Sequence, residues 1–264
     1  MKITPFSKNR ELIADQLTRA RNHHLSVSTS YEFDVTAVLP IIDRARAEGG
    51  SLTLVTFFIW CTGQVLAAHP RLNRHCFHGF FRRFEVDFEE VSCTLVIGRE
   101  GKDGEDILLP LLLRGIDKLS LRQVAEAIRH AKKAPLESLP QLAMLERIKK
   151  APLLALRWFS YKARSDPHFY QKHFGSYGVS SNLTKDFGPV SGHTIGNTGC
   201  AFVPGCVREL PRVVNGAVVA RWILHAGIVA DHYVIDGADM ARGMASLRTM
   251  LEDPAVIEAA LLAQ

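Results

Sequence analysis

The sequence predicts an α/β fold, an α+β sandwich in which helices flank a mixed sheet. Three observations carry this expectation. β-rich and helix-periodic segments are interleaved irregularly along 264 residues, without the even spacing of a repeat. The dipeptide Asn215-Gly216 stands between two apolar runs, a strong signal for a two-residue hairpin. Residues 238–251 (ADMARGMASLRTML) carry apolar side chains at helical spacing.

The elements follow in chain order. Residues 9–21 read as a short helix, with Ser7 or Asn9 as its cap. Residues 25–35 (LSVSTSYEFDV) alternate partly and are β-rich, so a strand is expected. Residues 36–47 read as a helix closed by Gly49-Gly50. Residues 54–68 are almost wholly apolar, a buried helix stopped near Pro70. Residues 80–99 alternate and suggest two strands. A Gly-rich charged loop at 100–106 and a buried strand (ILLPLLLRG) come next. Ser120 opens a helix with apolar positions at 121, 124, 125 and 128, and a Pro-punctuated helical segment covers 139–163. Four short strands are expected in YGVSSNL, GCAFVPGCV, RVVNGAVVARW and ILHAGIVADH.

Hydrophobic residues make up 47% and charged residues 22%, which excludes a disordered or fibrous chain. The absence of linker-like tracts favours one domain over 1–264. The net charge of +5 is small and scattered, so nucleic acid is not an expected partner. It suits a small anionic ligand instead. Five cysteines stand without a CxxC pair and read as reduced, buried thiols of a cytoplasmic protein. The N-terminus has no apolar signal core. The longest apolar stretch, 52–68, falls short of the ~20 residues that span a bilayer, so no membrane association is expected.

The chemistry concentrates in Asp231-His232-Tyr233-Val234-Ile235-Asp236-Gly237, between a buried-looking strand and a helix. Histidine is the usual general base near neutral pH. Asp236 can order the loop, and Gly237 offers a backbone shape that other residues resist. His23-His24 and His75-x-x-His78 lack an accompanying Cys or carboxylate constellation, so no metal is expected.

The flanks of the motif, DHYVIDGADMARGMASLRTMLEDP, resemble the C-terminal signature of the dihydrolipoamide acyltransferases, the core subunits of 2-oxoacid dehydrogenase complexes. Chloramphenicol acetyltransferase shares the His-x-x-x-Asp-Gly element, so the fold is expected to be chloramphenicol acetyltransferase-like. NRELIADQLTRARNHHLSVSTSYEFDVTAVLP is similar to the family's opening helix and strand. SLTLVTFFIWCTGQVLAAHPRLNRHCFHG is similar to its long helix, and RVVNGAVVARWILHAGIVADH to the hairpin before the histidine. The middle, about 100–170, matches weakly.

The resemblance implies a coenzyme A-dependent acyltransferase. His232 takes the family's role of base toward a thiol or hydroxyl acceptor. Ser180, which lies 52 residues before His232 and heads a Ser-x-Asn pattern, matches the oxyanion-stabilising serine. Ser181 is the alternative, since a strand shows only one of the two to a given face. Asn182 is implied to order the serine segment, and Asp236 to pair with Arg10. The family forms trimers with the site at the subunit boundary, so a homotrimer or a multiple of trimers is implied. The family's lipoyl and partner-binding domains do not precede Met1, and Asp117-Lys118 lacks the setting of a lipoyl attachment pair. The expected acceptor is therefore a free thiol or hydroxyl compound, or a group on a separate lipoylated protein. A catalytically silent trimeric scaffold is the competing class. Residues 184–205 depart from the family pattern, and His193 within them has no assigned role. Nonribosomal peptide condensation domains carry a second histidine where this chain has Asp231.

Overall fold

The computed structural model describes residues 5–6, 8–100, 106–181, 184–185 and 198–263. Seven strands form a mixed sheet in the order β1-β9-β8-β6-β4-β5, with β7 also paired to β8. These strands are β1 (Ser26–Asp34), β4 (Cys93–Glu100), β5 (Asp106–Leu113), β6 (Tyr177–Val179), β7 (Thr184–Lys185), β8 (Cys200–Val214) and β9 (Ala217–Asp231). β6 runs parallel to both β4 and β8, and the pairs β1·β9, β8·β9 and β4·β5 are antiparallel. A separate hairpin joins β2 (Arg74–His78) to β3 (Arg83–Asp87).

The helix α3 (Leu54–Ala68) lies where its apolar run predicts. Thr53 caps it by accepting from the Thr56 amide, and Pro70 follows its end. Its buried Phe58 meets Phe202 of β8 edge-on at 6.2 Å between ring centroids. α3 packs against α4 (Leu121–Lys133) and α8 (Gly237–Glu252), so these helices cover the sheet over one apolar core. α4 opens with a full capping box: the Ser120 hydroxyl accepts from the Gln123 amide, and the Gln123 side chain accepts from the Ser120 amide. The five cysteines are free and buried, as composition suggests.

Several boundaries depart from the sequence reading. The four short strands expected in the last third are dominated by two strands of 15 residues, β8 and β9. A bulge between Pro204 and Cys206 lets β8 continue past a residue that cannot donate to the ladder. Asn215 (φ 51°) and Gly216 (φ 81°) take the left-handed turn conformation that their sequence predicts. α1 runs over Lys8–His23, so Asn9 lies inside the helix, and Ser7 is outside the described residues. α2 (Leu39–Ala47) starts three residues later than expected, with Pro40 in its first turn. Phe80 and Phe81 form the tip of the β2–β3 hairpin rather than a strand. The helical stretch after Leu139 is broken at Pro152 into α5 (Pro140–Lys150) and α6 (Leu153–Ser165). Two further helices, α7 (Pro167–Phe174) and α9 (Pro254–Leu262), begin at prolines that the periodicity reading passes over.

One close approach ties β2 to the sheet. A side-chain carbon on Gly199 would stand 1.7 Å from the Arg74 carbonyl oxygen, so only glycine fits there. This contact brings His75 next to the chain end of β9, since the Asp231 amide donates to Gly199 O at 2.8 Å.

Candidate active site

β9 delivers Asp231 to the sheet edge opposite Ser26 of β1. Its carboxylate is buried, with 2% of the residue exposed. Oδ2 accepts from His24 Nδ1 at 2.7 Å, and Oδ1 accepts from the amides of Leu25 and Tyr233, each at 3.1 Å. Burial acts to raise this carboxyl's pKa. The His24 hydrogen bond and charge, with the Tyr233 and Leu25 amides, outweigh it and hold the group below the ordinary carboxylate range. One buried anion thus joins the end of α1, the start of β1 and the turn after β9.

His232 follows directly and is exposed. Its amide donates to Leu25 O at 2.8 Å, which fixes the backbone. Its Nδ1 lies 3.0 Å from Ile235 O. A carbonyl oxygen only accepts, so Nδ1 carries the proton and Nε2 keeps its lone pair. Ile235 is itself buried in the main core, so the carbonyl that orients the ring is anchored. The neighbouring Tyr233 ring lies under the Arg83 guanidinium at 4.8 Å.

The other predicted residues are distributed differently. Asp236 is the N-cap residue of α8 and is exposed, and its side chain makes no cap hydrogen bond. Gly237 is the first residue of α8, without a positive φ, and a Cβ there would meet nothing within 4 Å. The backbone freedom expected of Gly237 is therefore not used. Arg10 is exposed on α1. Ser180 and Ser181 lie just past the end of β6, both half-buried, so strand alternation does not choose between them. The Ser180 amide donates to Phe202 O at 3.0 Å. Asn182 and His193 lie outside the described residues.

Sheet register sets the spacing between serine and histidine within one chain. Ser180 is bonded to Phe202, whose partner across β8·β9 is Ile228, three residues before Asp231. Three residues of strand and two strand spacings put the Ser180 and Asp231 backbones about 14 Å apart.

The histidines that sequence spacing marks only weakly are drawn together beside this turn. His24 and His75 rings lie 5.1 Å apart, and His23 and His78 rings 4.7 Å apart. His75 stacks on Tyr170 at 4.3 Å, and its Nδ1 is buried without a hydrogen-bond partner. Burial, reinforced by His24, pushes His75 down to about 3, so it is neutral at any ordinary pH. Burial first, then neighbouring cationic groups, also lowers His23. Among the described residues no group of three His, Cys, Asp or Glu is placed to hold a metal ion. Sequence reasoning assigned no role to Asp231 or to His24. The one signal was a carboxylate directly before the motif histidine.

The model of the 2-oxoacid dehydrogenases acyltransferase (catalytic domain) family matches residues 1–138 and 198–259. The chain belongs to this family. Curated relatives include the succinyltransferase component of the 2-oxoglutarate dehydrogenase complex of Haemophilus influenzae, 21% identical over 96% of this chain and 54% of that protein. Another is the acetyltransferase component of the pyruvate dehydrogenase complex of Mycoplasma capricolum, 24% identical over 96% of this chain and 51% of that protein. The chain thus spans about half the length of these relatives. Among solved structures, dihydrolipoamide acetyltransferase of Azotobacter vinelandii superposes with a TM-score of 0.71 at 21% identity, covering 99% of this chain and 94% of that one. A chloramphenicol acetyltransferase superposes with a TM-score of 0.50 at 12% identity, covering 96% and 98%. The fold is the one the resemblance implies. Family membership places the 231–237 turn in an acyltransferase catalytic domain. No helix of the described residues is long and apolar enough to cross a membrane.

Proposed function

We propose that the chain catalyses coenzyme A-dependent acyl transfer, with His232 as general base. One observation carries the reading: the imidazole is exposed, and its Nδ1–H is held by Ile235 O, so the basic Nε2 is left for a substrate. An acceptor thiol has a pKa near ~8.5 and is mostly protonated at neutral pH. Nε2 takes its proton while the sulfur, or a hydroxyl oxygen, attacks the thioester carbonyl carbon of an acyl-CoA. The carbonyl becomes an oxyanion in a tetrahedral intermediate, which collapses and breaks the carbon–sulfur bond to coenzyme A. The leaving thiolate recovers the proton from the imidazolium.

The oxyanion needs a donor already in place. Ser180 is proposed for this, with Ser181 as the alternative. The ~14 Å between the Ser180 and Asp231 backbones of one chain is compatible with a serine supplied by a neighbouring subunit, and a homotrimer is proposed as the smallest competent unit. The Azotobacter vinelandii enzyme has been studied for the roles of a serine, a histidine and an asparagine in its mechanism. Its serine and histidine are separated by the same number of residues as Ser180 and His232. Its asparagine stands at the offset from the histidine that Asp236 occupies here. Asp236 and Arg10 are proposed to shape the turn, with Asn182 ordering the serine segment. The acceptor is a free thiol or hydroxyl compound, or a dihydrolipoyl group on another protein. The names of the relatives support the latter.

Thioester turnover with a panel of acyl-CoAs tests the reading. His232→Ala is expected to abolish turnover while circular dichroism and sedimentation stay unchanged. Undiminished transfer in that variant removes the reading. A wild-type chain inert toward every donor and acceptor supports a silent scaffold instead.

A further inference from the structure

A cavity of about 450 Å³ lies between the end of α1, β2 and the helices α6 and α7. One wall is His23, His24, His75 and His78, from the end of α1 and from β2. The opposite wall is built by α6 and α7, which bring Arg157, Arg164, Phe159, Tyr161, Tyr170 and Phe174. The family model treats the two walls differently. The histidine wall lies inside the stretch that the family model matches. The arginine and aromatic wall lies wholly in the unmatched gap between residues 138 and 198.

Its chemistry is one-sided. No Asp or Glu is among the described residues that line it, while two arginines are. Both arginines are exposed at the rim. Arg164 Nη1 donates toward His23 Nε2 at 3.5 Å, and its guanidinium lies 5.4 Å from the Tyr161 ring centre. His78 Nε2 donates to His23 O at 2.9 Å. At the floor, His75 keeps an unpartnered Nδ1. Burial lowers His23, His75 and His78, so the two guanidiniums are the permanent charges among the described lining residues. Aromatic faces line the space between floor and rim.

The geometry points to a subsite for the acyl acceptor, one that takes a small organic acid. Its carboxylate meets Arg157 and Arg164, and its apolar body lies on the aromatic wall. The size suits a small acceptor, because drug-sized ligands fill pockets of ~300–1,000 Å³. The position supports it too. His24, which lines the cavity, is bonded at 2.7 Å to Asp231, the residue before the base. This inference rests on the acyl-transfer reading for the word acceptor, but not for the binding itself.

Dihydrolipoate and dihydrolipoamide make the test, since they share both thiols and differ in a carboxylate against a neutral amide. Calorimetric titration of the intact chain is expected to show the acid binding on the order of tenfold tighter. The double variant Arg157→Gln/Arg164→Gln is expected to bring the two affinities together. Its fold is checked by circular dichroism, and both positions are exposed. Equal binding of acid and amide by the wild type overturns the inference, as does an undiminished preference in the double variant. Inorganic phosphate displacing dihydrolipoate at equal concentration also overturns it, because the site then reads a bare anion and not an organic acid. The same titration on His232→Ala keeps the two proposals separate. Preferred acid binding in that variant upholds the subsite whatever happens to turnover.

Discussion

Replacing Asp231 tests the buried hub that ties the end of α1 and the start of β1 to the 231–237 turn. Asp231→Ala removes one carboxylate and leaves His24 Nδ1 and the amides of Leu25 and Tyr233 without their acceptor. An orphaned buried donor costs about 1–3 kcal/mol, and breaking a buried charge pair about 3–5 kcal/mol. These losses share one site and are not additive, so about 3–5 kcal/mol is expected for the whole. Asp231→Asn keeps an oxygen for the two amides but puts an NH2 group where Oδ2 accepts from His24, so about 1–3 kcal/mol is expected. Urea unfolding at fixed protomer concentration reads both values.

The pH dependence has a definite sign. The folded carboxyl titrates below its ordinary value, so the unfolded chain binds the proton more readily. The stability from the charge is complete above about pH 4, the usual carboxyl range. It is lost as pH falls through the lower folded value. The gap between wild type and Asp231→Asn is therefore widest near neutrality and closes in acid. Thioester turnover is expected to fall in Asp231→Ala, because the His232 backbone is bonded to Leu25, which the same carboxylate holds. A cost below about 1 kcal/mol for Asp231→Ala, or a gap that does not change down to pH 3, refutes the hub.

The two serines separate by rate. Ser180→Ala is expected to lower kcat by ~10²-fold or more if its hydroxyl meets the oxyanion, with little change in stability. The same loss in Ser181→Ala and not in Ser180→Ala shifts the assignment by one residue. Gly199→Ala forces a carbon onto the Arg74 carbonyl and is expected to cost about 3 kcal/mol or more, read as a fall in the urea midpoint. An unchanged midpoint there removes the claim that β2 is seated by that contact.

How much was legible depended on how local each signal was. α3 was read to the residue, because its cap, apolar run and terminating proline all lie within the segment itself. The Asn215-Gly216 hairpin was legible for the same reason, since its backbone demand falls on two adjacent residues. β2 was not read, because Arg74–His78 becomes a strand only by pairing with β3 and fitting under Gly199. The long β8 was hidden by Pro204, which punctuates the sequence but is absorbed by a bulge that depends on β9. The site divides along the same line. His232 announced itself through its motif. The bond from His24 to Asp231 spans 207 positions and has no local signature.

The order of residues by itself determined the fold class, the helix α3, the Asn215-Gly216 hairpin and the candidate base, because propensity, capping and turn chemistry act between near neighbours. Only the folded chain decided which nitrogen of His232 holds the proton and which acid anchors its turn. Folding also brought four scattered histidines to face two arginines. Those outcomes depend on strand register and burial, which arise from contacts between segments far apart along the chain.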